Sequence, residues 1–242
     1  MDFTKIEWNK QYYNEFIEHL KNHEDLNYKE FHLKILTKEQ KERDKIRLIG
    51  IRTPILRKIA TEISKGKWKE FLSIEKKGYY EETIIRGFII GKIKNIEELI
   101  KYSKLFVKEI DNWAICDLFV GSSSVIRKNK EKYFNFIKTY ENTENPWEMR
   151  FLLISLLSHY IEEDYLDYIF QITDKSELDH YYVKMGIAWL ISIVYIKFPK
   201  QTKQYLKINN LSKWTNNKAI QKIRESLRVS LEEKEYVKQY KK

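Results

Sequence analysis

Cysteine, proline and glycine are all scarce in this chain of 242 residues, which holds one, three and seven of them. A single cysteine, Cys116, leaves no intramolecular disulfide and no thiolate metal cluster. Between Ile115 and Asp117 it reads as a small buried hydrophobe. So few turn-forming residues argue against a turn-rich all-β fold and in favour of long helices. Long apolar runs are also missing. The most apolar stretch, residues 185–196, falls well short of the ~20 residues that cross a bilayer. The segment Met1-Asp-Phe-Thr-Lys-Ile-Glu7 lacks the apolar core of a signal peptide. The five histidines, His19, His23, His32, His159 and His180, show no metal-ligand spacing. Ser122–Ser124 has no nucleophile-elbow context, and neither a P-loop nor a dinucleotide fingerprint occurs. Metal, cofactor and nucleotide-driven chemistry are therefore not expected.

What is abundant is positive charge. The formal net charge is +10, and residues 201–242 hold eleven Lys/Arg against four Glu. Such an excess suggests an anionic partner, either nucleic acid or an anionic membrane, or else a solubilising basic tail.

The hydrophobic pattern has a helical period almost throughout. Residues 3–20 place Ile6, Tyr13, Phe16, Ile17 and Leu20 on one face, and a polar break follows at 21–27. Residues 31–46 are ambiguous: apolar at first, then heavily charged. In the turn Gly50-Ile-Arg-Thr-Pro54, Thr53 is the expected N-cap and Pro54 the first helical residue. That helix carries Leu56, Ile59, Ala60 and Ile63 inward, and Gly66 is expected to close it. Further helices are expected over 68–75, 81–93, 96–108, 111–119, 129–140, 145–160, 162–172, 178–197, 198–206, 216–227 and 231–240. No segment alternates like a strand. Fifteen or so helices with short connections suit an all-α fold: helix pairs stacked into a curved α-solenoid, forming one domain over residues 1–242. No strict sequence period is evident, so the repeat is expected to be structural and degenerate. The concave face of such an array fits duplex DNA in width.

Four scattered residues carry the most suggestive chemistry. Trp113 and Asp117, at i and i+4, share one helical face. Arg150 lies in Trp147-Glu-Met-Arg150, and Trp189 ends Met185-Gly-Ile-Ala-Trp189. Two π-faces, a carboxylate and a guanidinium are what a site handling a cationic base on an anionic backbone requires. By spacing alone, core packing explains each residue singly at least as well. Lys218 and Lys222 share a helix face near Arg224 and Arg228, either as a phosphate-binding surface or as a solvated one.

Five motifs occur in order: Gly50-Ile-Arg52-Thr-Pro-Ile-Leu-Arg57, Trp113-Ala-Ile-Cys-Asp117, Trp147-Glu-Met-Arg150, Tyr181-Tyr-Val-Lys184-Met-Gly-Ile-Ala-Trp189 and Asn217-Lys218-Ala-Ile-Gln-Lys222. Together, over about residues 48–228, they resemble the AlkD-like family of DNA alkylation repair proteins. The resemblance implies HEAT-like helical repeats with a basic face that cradles duplex DNA. It also implies a metal-free N-glycosylase for cationic alkylpurines such as 3-methyladenine and 7-methylguanine, acting without flipping the base into a pocket. Carried over by motif, Trp113 and Trp189 would contact the damaged nucleotide, Asp117 would stabilise the sugar cation or position water, and Arg150 would hold a phosphate. Arg52, Arg57, Lys184, Lys218 and Lys222 would bind the DNA backbone. A monomer in the bacterial cytosol or nucleoid, with no membrane contact, is the matching expectation. Residues 31–47 resemble a subgroup that keeps the Trp/Asp/Arg/Trp set but lacks the lesion-recognition helix ahead of the Gly50 turn. The alternative function is therefore a DNA-binding or scaffold relative with little or no catalysis.

Overall fold

The computed structural model describes residues 1–36, 46–176 and 178–242. Among them are fourteen α-helices and three short 3-10 turns, with no strand beyond a single bridge between Arg47 and Tyr79. The all-α class expected from the low glycine and proline content is the class observed. The chain forms two compact units, residues 1–125 and 126–242.

The first unit contains α1 (Lys10–Lys21), α2 (Leu26–Leu36), α3 (Thr53–Ile63), α4 (Trp68–Ser73), α5 (Tyr80–Gly91), α6 (Ile96–Val107) and α7 (Trp113–Val120). Its main helix contacts join α3 to α5 and α5 to α7. Alternate helices thus form a row, with α4 and α6 serving as the connecting layer. This is the packing of stacked helix pairs, in which no pair buries its apolar face alone. Helix α5 lies at the centre of the row and is buried along its whole length. Ile84, Ile85, Phe88, Ile89 and Ile90 are each at most 3% exposed. Burying each such side chain contributes about 1.5–3 kcal/mol.

The second unit contains α8 (Lys130–Lys138), α9 (Pro146–His159), α10 (Leu166–Lys175), α11 (Tyr181–Lys197), α12 (Pro199–Ile208), α13 (Lys213–Glu225) and α14 (Leu231–Tyr236). The same arrangement recurs, with α9 packed on α11 and α11 on α13. The apolar helix over 185–196 is explained by this position. Helix α11 has neighbours on both sides, so Val183, Ile187, Leu190, Ile191 and Val194 are all fully buried.

Several sequence expectations are corrected. The first helix begins at Lys10, not at residue 3. The Asn9 side chain caps it by accepting from the Tyr12 N–H at 3.0 Å. The preceding residues are non-helical and plug the core: Phe3 stacks on Trp8 (centroids 6.2 Å), and Trp8 meets Phe71 edge-on at 4.8 Å. Arg52, rather than Thr53, is the extended residue before α3; its carbonyl accepts from Ile55 and Leu56, so Thr53 and Pro54 are the first helical residues. Gly66 does not cap α3, which ends at Ser64 in a right-handed conformation. A side chain at Gly66 would instead lie 2.6 Å from the Thr4 carbonyl oxygen. Close approach of backbone is what selects glycine there.

The ambiguous stretch from residue 31 opens inside a helix, α2, which ends at Leu36. It starts at Leu26, at the end of the expected polar break, where Asp25 accepts the Tyr28 N–H at 2.9 Å. The charged portion of residues 31–47 that falls at 37–45 lies outside the described residues.

Candidate functional site

In the first unit, Glu81 organises the turn that leads into α3. Its carboxylate is fully buried and accepts three consecutive backbone N–H groups: Ile49 (3.0 Å), Gly50 (2.7 Å) and Ile51 (3.2 Å). Burial raises the Glu81 pKa, while these backbone hydrogen bonds pull it back down. Gly50 has a φ of 102°, and a Cβ there would sit 2.7 Å from Lys29 Cβ and 2.9 Å from the Asp25 carbonyl oxygen. Glycine is required both by the left-handed backbone and by the contact with α2. The neighbouring Glu82 accepts from Tyr13 Oη (2.8 Å) and from the backbone N–H groups of Lys77 and Tyr79. Arg86, one turn on, donates to the backbone carbonyls of Leu72 and Ile74. Sequence reasoning missed all three. Their signal was present, since Glu81, Glu82 and Arg86 interrupt an otherwise apolar helix, and charges buried this way are paired or hydrogen-bonded.

The turn delivers Arg52 and Arg57. Arg52 is exposed and already engaged: its Nε and Nη2 donate to Asp25 at 3.1 and 2.9 Å, and it stands over the Tyr28 ring. Arg57 is exposed and lies 4.1 Å above the Phe88 ring centroid.

Helix α7 carries Trp113 and Asp117. Asn112 caps it, accepting from Ala114 and Ile115. Ala114, Ile115, Cys116, Phe119 and Val120 are buried, whereas Trp113, Asp117 and Leu118 are half-buried. The i, i+4 spacing therefore puts the indole and the carboxylate on the accessible side, and Cys116 points into the core as expected. Trp113 is not a core aromatic.

In the second unit Arg150 is 5% exposed, and its Nη1 donates to the Tyr182 carbonyl at 2.6 Å. Gly186 on α11 lies beside it: a Cβ there would meet Arg150 Nη1 at 3.8 Å, an ordinary van der Waals contact. Trp189 belongs to a half-buried stripe on α11 with Tyr182, Met185, Ile193 and Ile196, while most of the rest of that helix is buried. Lys222 on α13 is half-buried. Burial lowers its pKa, Glu225 opposes this, and the Lys218 and Arg150 charges lower it further. His180 is likewise held low by burial, and then by Arg150. Lys184 is paired with Asp179 at 2.6 Å, and Lys218 donates to Gln221 at 2.8 Å. The structure therefore gives Arg52 and Lys184 carboxylate partners.

A recurrence not apparent from the sequence alone emerges from the helix starts. The members of each row from α5 onward carry an aromatic residue at their first or second position, at 80, 113, 147, 181 and 214, at intervals of 33 or 34 residues. The repeat is structural and degenerate, as expected, but it keeps this one position.

A family model described as DNA alkylation repair enzyme matches residues 15–223. The chain belongs to that family. Comparison with curated proteins finds no match. Membership gives the chain a role in DNA alkylation repair. Among the described residues, no helix is long and apolar enough to cross a membrane.

Proposed function

We propose that this member of the DNA alkylation repair family is an N-glycosylase that hydrolyses the glycosidic bond of cationic alkylpurines in duplex DNA. The observation that carries the reading is Trp113 and Asp117 presented together on the accessible face of α7, within a chain of this family. An N3- or N7-alkylated purine already carries positive charge, so it leaves without general-acid help. What the protein supplies is stabilisation of the deoxyribosyl cation. The Asp117 carboxylate does this by its charge, and the indoles of Trp113 and Trp189 through their negative π-faces. Arg150 is fixed by the Tyr182 carbonyl; with Lys222 and Lys218 it holds backbone phosphate, while Arg52, Arg57 and Lys184 extend the phosphate contacts. The chain acts as a monomer and needs no metal or nucleotide cofactor.

The test is release of 7-methylguanine and 3-methyladenine from methylated duplex DNA. Asp117→Asn is expected to slow release about a hundredfold, the usual effect of removing one electrostatic stabiliser. Release by the wild-type chain no faster than by Asp117→Asn would reject the glycosylase. Salt-dependent binding that ignores the lesion would then make the chain a non-catalytic DNA-binding relative.

A further inference from the structure

The aromatic residues at the helix starts of the second unit form a connected row. Trp147 meets His180 at 5.3 Å and Tyr182 at 5.4 Å; Tyr182 meets Tyr181 at 5.1 Å; and Tyr181 meets Trp214 at 5.7 Å between ring centroids. The row runs outward from the residue that anchors Arg150, since Tyr182 provides the carbonyl acceptor. Its outer end is open to solvent, with Tyr181 36% and Trp214 41% exposed. Two aromatic rings thus stand side by side at the surface.

Among the described residues, the charged side chains that line that end are basic. Trp214 lies in a depression of about 620 Å³ whose lining includes Lys213, Lys218, Arg224 and Lys241. Lys218 Nζ stands 5.8 Å from the Trp214 ring centroid. Among the described residues, Asp179 is engaged by Lys184, Glu225 by Gln221, and Glu235 by Lys238 and Arg224. A ligand that matches must offer flat π-faces and repeated negative charge together. Unpaired nucleotides do so; the edges of a stacked duplex do not. Successive aromatic rings beside a basic groove are how proteins hold single strands without reading sequence.

We propose that Trp214 and Tyr181, with Lys213 and Lys218, form a binding platform for single-stranded DNA, separate from the Asp117-centred chemistry. The platform takes an unstacked base on the Trp214 ring and backbone phosphate on the lysines. It gives the protein affinity for DNA in which one strand is locally unpaired, such as a gap or a fork. This inference rests on the reading of DNA as the partner.

The test compares dye-labelled oligothymidylate of about a dozen nucleotides with a duplex of equal length, by fluorescence anisotropy at low salt. Wild-type chain, Trp214→Ala and Trp214→Phe are titrated with each, and base release from methylated duplex is measured on the same preparations. Trp214→Ala is expected to weaken oligothymidylate binding about tenfold, within the range of one lost base–aromatic stack. Trp214→Phe should restore most of it, and quenching of tryptophan emission on binding should disappear in both variants if Trp214 is the stacked ring. Duplex affinity and base release should stay as in wild type. Unchanged oligothymidylate affinity in Trp214→Ala, absence of single-strand binding in wild type, or tighter binding of oligouridylate would overturn the proposal. Loss of duplex binding and base release in the wild-type chain would instead reject the repair reading, so the two failures are distinguishable.

Discussion

Removing the Glu81 carboxylate is the sharpest perturbation this structure offers. Its two oxygens accept three consecutive backbone N–H groups in a fully buried position. Glu81→Ala leaves all three donors without their partner and opens a cavity. A buried donor left unsatisfied costs about 1–3 kcal/mol, so the loss is expected at about 3–6 kcal/mol, a large part of a typical domain's stability. Glu81→Gln separates charge from hydrogen bonding. One side-chain oxygen can still serve Gly50 and Ile51, but an amide NH₂ cannot accept from Ile49, so about 1–3 kcal/mol is lost. The pH dependence adds an independent check. Burial raises the Glu81 pKa above its ordinary value. The folded state therefore holds this proton more tightly than the unfolded state does. The stabilising contribution of the proton is complete below the unfolded value near 4.5 and is lost as pH rises through the raised folded value. Glu81→Gln removes that dependence. Urea unfolding from pH 4 to 8 gives both quantities, and hydrogen exchange localises them. The Ile49, Gly50 and Ile51 amides should be protected in wild type and exchange freely in Glu81→Ala. A Glu81→Ala protein within about 1 kcal/mol of wild type, with those amides still protected, would refute the argument.

Two further consequences concern the same end of the first unit. Gly50→Ala must place a Cβ 2.7 Å from Lys29 Cβ at a φ of 102°; a loss of about 1–3 kcal/mol is expected in urea unfolding, and a change below 0.5 kcal/mol would contradict it. His32 is half-buried, contacts Tyr28 Oη at 2.6 Å and the Tyr80 ring edge-on, and burial lowers its pKa. Because the folded value lies below the unfolded one near 6.5, stability should fall as pH drops below 6.5 through the folded value; His32→Gln should flatten that part of the profile, and an unaltered profile would exclude His32 as its source.

The extent of legibility in the sequence differs from one element to another. Helix α9 was readable almost to the residue, because Asn145 and Pro146 mark its start chemically and the apolar run marks its length. The first helix was not. Phe3 and Ile6 continue the helical period by coincidence, and only the packing of Phe3 and Trp8 onto Phe16 and Phe71 reveals a non-helical plug. The accessible side of α7 was legible through the i, i+4 spacing of Trp113 and Asp117. The anchoring of Arg150 was not, because its acceptor lies thirty-two residues away on another helix. Glu81 was passed over because a carboxylate next to Tyr80 and Glu82 reads as a surface residue until its three backbone partners are known.

By itself, the sequence determined the helical class, the basic character and the ordered motifs of the DNA alkylation repair family. These follow from composition, periodicity and local spacing, which a chain carries along its length. Only the tertiary structure decided which charges are neutralised, as Arg52 is by Asp25; which are buried, as Glu81 and Arg150 are; and which aromatics stand open, as Trp214 does. Those depend on groups brought together from distant positions, where desolvation and close packing set the energy of a charge or a ring.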